Sequence, residues 1–174
     1  MIRQSSIFLI AALLPLLATA AEPHPTAVSA GAPALKAGCI VLTTAAEQEH
    51  AVTAADGSAS RQYQPATRVV PGTEVVWITS ARNTCSKPAE HVVIDQPVPE
   101  HMVFVADSAI GGGAQISLST DGKDYRAASQ LTARNVDGSS RPARATDVRF
   151  VRWTLTSAIA PQDQFTARFR AVLQ

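Results

Sequence analysis

The chain has 174 residues, 15 basic and 14 acidic side chains, and 46% hydrophobic but only 5% aromatic residues. So near-even a charge balance gives no ground for a nucleic-acid partner from the total alone. Residues 1–20 read as a processing signal, with Arg3 as the positive end, Ile7 to Leu17 as the apolar core and Ala18-Thr19-Ala20 as the cleavage site. That apolar run is short of the ~20 residues a bilayer span needs, and no second long run follows, so no membrane span is expected after processing. The residue directly after the cleavage site is Ala21, not a cysteine that would carry a lipid. The expected address is outside the cytoplasm, in the periplasm, on the outer surface or in the medium.

Removal of residues 1–20 leaves 154 residues, with 14 basic and 14 acidic side chains. A chain of that size supports one core. Residues 21–35, rich in Ala and Pro without alternation, read as a flexible leader, and 36–174 as a single domain. Two cysteines remain, Cys39 and Cys85, and an exported chain meets conditions that close such a pair. One disulfide is the expectation, with two free thiols or a redox pair as the alternatives. The redox pair lacks the Cys-x-x-Cys spacing that depresses one thiol's pKa.

The first strand is expected over Cys39–Thr44, where β-branched residues cluster, and Asp56-Gly57 is a hairpin signal. For Ala45 to Ala55 a helical turn is the candidate, which the Thr and Val content leaves undecided. Pro71-Gly72 makes a turn before Glu74–Ala81, where Val75, Trp77, Thr79 and Ala81 share one face and Val76, Ile78 and Ser80 the other. Two partly apolar faces indicate a central strand, with Trp77 as the largest single contribution to the core. Asn83 to Lys87 turns again, His91–Ile94 extends, and Asp95-Gln96-Pro97-Val98-Pro99 is expected to stop that strand.

Val103-Phe104-Val105 follows, then a break at Gly111-Gly112-Gly113, a strand over Ile116–Ser119 and a turn at Asp121-Gly122. Residues 135–144 read as a polar loop, Val148–Leu155 as a strand carrying Trp153, and Pro161 as a turn. In the last strand Phe165, Ala167, Phe169, Ala171 and Leu173 point one way and Thr166, Arg168 and Arg170 the other. Eight or so short strands between Gly, Pro and Asp-Gly turns predict an all-β, antiparallel, immunoglobulin-like two-sheet sandwich, with a closed barrel as the rival.

The ordered motifs Pro71-Gly72, Asn83-Thr84, Pro88-Ala89, Val92-Val93-Ile94-Asp95, Pro97-Val98-Pro99, Ser119-Thr120-Asp121-Gly122, Val151-Arg152-Trp153 and Ala160-Pro161 resemble the bacterial conserved-repeat domain catalogued as domain of unknown function eleven. The resemblance runs from about Leu35 to Leu173 and is greatest to short, single-module exported members. It implies an immunoglobulin-type sandwich in a cell-envelope, surface-layer or adhesin-like setting, with no catalytic set to carry over. Two positions depart from the pattern. Cys85 stands where the family generally has Gly after Asn-Thr, which implies that a disulfide rigidifies that turn. Gln162 stands for the usual Gly after Pro161, where positive φ is costlier for Gln.

Residues that carry chemistry are sparse. His91 and His101, with Asp95 and Glu100, lack metal-ligand spacing, and Lys123 opposes a cation at Asp121-Gly122-Lys123-Asp124. The Gly111–Gly113 run has no phosphate-loop partner residues, and no Gly-x-Ser-x-Gly or His-Glu-x-x-His occurs. Hence no enzyme, cofactor or metal is expected. From Arg126 onward eight arginines outnumber the acids, either as solvated outward positions or as a weakly basic face. Arg141, Arg144, Arg168 and Arg170 are the candidate interaction residues, for a protein or another envelope component. The expected role is a structural or adhesive envelope module; the alternative is a periplasmic accessory protein that binds a glycan or protein through the Arg-rich strands and loop 135–144.

Overall fold

A computed structural model describes residues 35–53 and 58–174. The processing signal, the leader up to residue 34 and the Asp56-Gly57 turn lie outside these residues. The strands are β1 (Leu35–Ala37), β2 (Ile40–Thr53), β3 (Ala59–Pro65), β4 (Glu74–Asn83), β5 (Val93–Pro97), β6 (Met102–Phe104), β7 (Ala114–Ser119), β8 (Thr132–Arg134), β9 (Ser140–Pro142), β10 (Phe150–Leu155) and β11 (Gln164–Leu173), with single 3₁₀ turns at Ala128–Gln130 and Ala145–Asp147.

Every pairing between these strands is antiparallel. One sheet runs β1-β2-β4-β11-β6 with β3 also on β2, and it faces a second sheet, β5-β10-β7. The fold is an all-β two-sheet sandwich, six strands against three. In an immunoglobulin domain the fifth strand lies between the second and fourth, and the seventh lies beside the sixth. Here the last strand, β11, takes the place between β4 and β6, and β7 takes the outer place beside β10. The layered plan is thus kept with two strands exchanged.

Alternation explains the core. Ala167, Phe169 and Ala171 of β11, Val75 and Ala81 of β4, Ile94 of β5 and Val151 and Trp153 of β10 are at most 2% exposed. Trp153 and Phe169 meet across the sheets with ring centroids 6.4 Å apart, and Phe104 of β6 lies 6.1 Å from Phe169. Burying each such side chain contributes about 1.5–3 kcal/mol. The largest core side chain is Trp153 rather than Trp77, which is only half-buried. Trp77 sits in the interior strand β4 between Ala46 of β2 and Phe169 of β11. Phe165 and Leu173, at the two ends of the β11 inner row, are likewise half-buried. Gly111 tucks against both Trp153 and Phe165, where a Cβ would come within 2.8 Å of each ring.

Several local expectations change. Cys39 lies in the Gly38-Cys39 turn between β1 and β2, not in a strand. The 45–53 stretch, undecided from the sequence, extends β2, with Thr44, Ala46 and Gln48 continuing its inner row. Gln48 is satisfied through Nε2 by the Arg68 carbonyl at 3.3 Å. His91 is not in a strand: its φ is 53°, and β5 starts two residues later and runs through Asp95, Gln96 and Pro97. Proline is accommodated there because β5 is an edge strand. The 135–144 segment is not an open loop, since β8 and β9 form a hairpin around the Asp137-Gly138 turn.

Candidate functional site

One connection organises the surface where the charged groups gather. After β6 the chain from Val105 to Ile110 stays hydrogen-bonded to β11: Val105 N–H donates to the Arg170 carbonyl at 2.9 Å, and Ile110 and Arg168 exchange two backbone bonds of 2.8 and 2.9 Å. Ser108, only 6% exposed, locks the bend. Its Oγ donates to the Val105 carbonyl at 2.6 Å and accepts the Arg170 N–H at 3.0 Å. Asp107 is thereby held beside Arg168 and Arg170, in the left-handed region at φ 58°.

Asp107 borders three hollows. The first, about 210 Å³, lies on the outer face of the larger sheet and is lined by Tyr63, Val76, Ser108, Arg168 and Arg170 among others. Tyr63 is 51% exposed and donates to Glu49 Oε2 at 3.4 Å. Arg170 Nη1 pairs with Glu74 Oε1 at 3.0 Å, an exposed pair of the kind that contributes about 0–1 kcal/mol. The other two hollows, about 230 and 160 Å³, lie between β6 and β7, and Arg144 lines the smaller. Among the described residues the side chains of Asp107, Arg144 and Arg168 make no ion pair.

The four candidate arginines therefore separate. Arg144, Arg168 and Arg170 border hollows that share Asp107. Arg141 is committed elsewhere: Nη1 and Nη2 grip Asp147 at 2.6 and 2.9 Å, and Nε donates to Asn135 Oδ1 at 3.0 Å. The Arg141 hydrogen bonds, aided by the Arg144 backbone N–H at 2.7 Å, lower the Asp147 pKa to about 2. Within the same hairpin the Ser139 hydroxyl and N–H hold the Asp137 pKa below its ordinary value. Sequence reasoning missed Asp107 and Tyr63; the left-handed Asp107 gave no signal because its turn depends on β11, distant in the chain.

Other polar clusters are structural. Asp121 accepts the Lys123 and Asp124 N–H groups at 2.9 and 3.1 Å, which lowers its pKa and makes this segment a closed turn. A cleft of about 440 Å³ lies between this turn and the β8–β9 hairpin, with Asp121, Asp124, Arg126 and Arg134 on its walls. On the outer face of the smaller sheet, Arg152 grips Asp95 at 2.6 and 2.7 Å and stacks 3.6 Å over the Tyr125 ring. Burial is the main reason the Tyr125 pKa is raised. His91 and His101 both occupy positive φ, 53° and 62°, and are exposed. Among the described residues no three His, Cys, Asp or Glu side chains gather as a metal site.

Cys39 and Cys85 are joined, with Cα atoms 5.2 Å apart. Beside the bridge, fully buried Asn83 donates to the Lys87 and Ile159 carbonyls at 2.8 and 2.9 Å and accepts the Cys85 N–H at 3.0 Å. The protein is thus a disulfide-closed antiparallel β-sandwich, and no described helix is long and apolar enough to cross a membrane. No family model, no curated protein and no solved structure matches the chain.

Proposed function

We propose that the chain is an exported, non-catalytic module of the cell envelope that binds a protein or another envelope component through the face around Asp107. The observation that carries this reading is that Asp107, Arg144 and Arg168 border adjoining hollows while their charges serve no ion pair among the described residues. Exposed charges retained on a rigid frame are available to set partner and orientation. The disulfide and the buried Asn83 network supply that frame. The signal-like residues 1–20 and the ordered turn motifs that resemble the conserved-repeat family support the envelope setting.

Photo-cross-linking residues placed at exposed Ala106, Val136 and Lys87 in the native cell, followed by fractionation, test the proposal. An envelope adduct from position 106, with none from 136 or 87, is expected. An adduct from 136 alone would move the interaction to the β8–β9 hairpin and favour the accessory-protein reading. A cytoplasmic product that retains Met1 would end the envelope assignment.

A further inference from the structure

β6 and β7 are edge strands of opposite sheets and do not pair with each other, so the sandwich parts between them. The gap is floored by Phe104 and Leu118, which are 3% and 7% exposed. Two hollows of about 230 and 160 Å³ adjoin along this gap, sharing Phe104, Asp107, Leu118 and Ala128. Ile116 extends the larger one, and Arg144 stands at the smaller one. The site thus combines an apolar floor with one anionic and one cationic group on the same rim. Neither side chain makes an ion pair among the described residues: Asp147 takes the Arg141 guanidinium and the backbone N–H of Arg144, and the Arg144 charge acts on it only from beyond ion-pair distance.

We infer that this gap binds a small apolar α-amino acid, its side chain against Phe104 and Leu118, its carboxylate at Arg144 and its ammonium at Asp107. Two opposite charges beside one apolar floor complement a molecule that carries both charges next to an apolar side chain. A purely anionic amphiphile would meet the Asp107 carboxylate, and an amine alone would meet Arg144. The hollow lined by both Asp107 and Arg144 is about 160 Å³, below the ~300 Å³ lower limit typical of drug-sized pockets, which favours one side chain over a long chain. Asp107 also holds a left-handed conformation that Gly adopts more readily, and its carboxylate forms no ion pair in return. The inference shares Asp107 and Arg144 with the interaction role above but does not rest on it, because a ligand in the gap requires no macromolecular partner.

Backbone-amide NMR of the labelled full chain, titrated with L-leucine or L-phenylalanine to about 10 mM, tests it. Saturable shifts are expected at Phe104–Ile110, Leu118, Ala128 and Ala143–Ala145, with dissociation constants of about 1 mM or below. 4-Methylpentanoate and 3-methylbutylamine, which each lack one charge, should bind at least about tenfold more weakly. Asp107→Gly suits the left-handed backbone, and Arg144→Gln keeps much of the side chain. Both should keep the dispersed spectrum and weaken leucine binding at least about tenfold. Absence of shifts up to the highest concentration, shifts confined to another region, or equal affinity for the one-charge analogues would each overturn the inference.

Discussion

Two turns show how one residue's conformational preference enters the fold. Val70-Pro71-Gly72-Thr73 and Ala160-Pro161-Gln162-Asp163 both close with a 3.0–3.1 Å backbone bond, proline second and a positive-φ residue third, the type II pattern. Each turn is fastened to the far end of the partner strand: Gly72 N–H donates to the Leu173 carbonyl at 2.7 Å and Gln162 N–H to the Asn83 carbonyl at 2.9 Å. Gly72 meets the geometry freely at φ 86°, whereas Gln162 holds φ 66° with a side chain. Gln162→Gly should therefore stabilise the protein by about 0.5–1 kcal/mol, because the strain it removes exceeds the loss of a long, exposed bond to Thr84. Gly72→Gln should cost about 1 kcal/mol or more. Paired urea melts check both signs, and a loss of stability in Gln162→Gly would show that the Thr84 bond outweighs the backbone strain. These turns were legible because proline fixes its own φ and the resemblance marked position 162 as a glycine place. Asn83 was legible only as a turn residue. Its role as a buried stitch depends on the Ile159 carbonyl, 76 positions away in the chain.

At the scale of elements, legibility followed the contrast between the two sides of a strand. β11 alternates buried apolar with exposed polar residues and was read with its facing correct. The β8–β9 hairpin buries only Ala133 among its strand residues, so it gives no alternation and reads as loop. Its order comes from the Asn135–Asp137–Ser139 bonds and from Arg141 on Asp147, not from core burial. The bidentate pair also makes the hairpin acid-sensitive. Asp147 has a folded pKa of about 2, below the ordinary carboxylate value of about 3.9. Its contribution is therefore fully present above pH ~4 and is lost as pH falls through the folded value. Asp147→Asn should remove that part of the acid dependence. Melting curves of the parent and the variant should converge as the pH is lowered from about 5 to about 2, with the parent more stable at the upper end. A constant difference across this range would mean that Asp147 does not carry the effect.

For the whole molecule, the sequence pattern reached the layered architecture because strand length, turn chemistry and one-sided burial are local properties. The placement of β11 between β4 and β6 is not local, and no pattern of alternation distinguishes it from a strand beside β10. The consequence is that the final strand is interior to its sheet, so the C-terminal segment helps complete the core. The Cys39–Cys85 bridge closes the other end, joining the β1–β2 turn to the segment after β4 across a sequence separation of 46. In the chain-entropy account a loop of that length contributes about 4 kcal/mol, which for a chain of this size corresponds to a melting point higher by roughly 8–16 °C. Reduction should lower the melting temperature by up to that amount while leaving a folded sandwich. The interior rows of β4, β10 and β11, with Trp153 and Phe169 meeting between them, do not depend on the bridge. Near-ultraviolet circular dichroism before and after reduction separates the two parts of this expectation. A retained tryptophan signal with a lowered melting temperature supports it, and collapse of that signal on reduction would show that the core requires the disulfide to form.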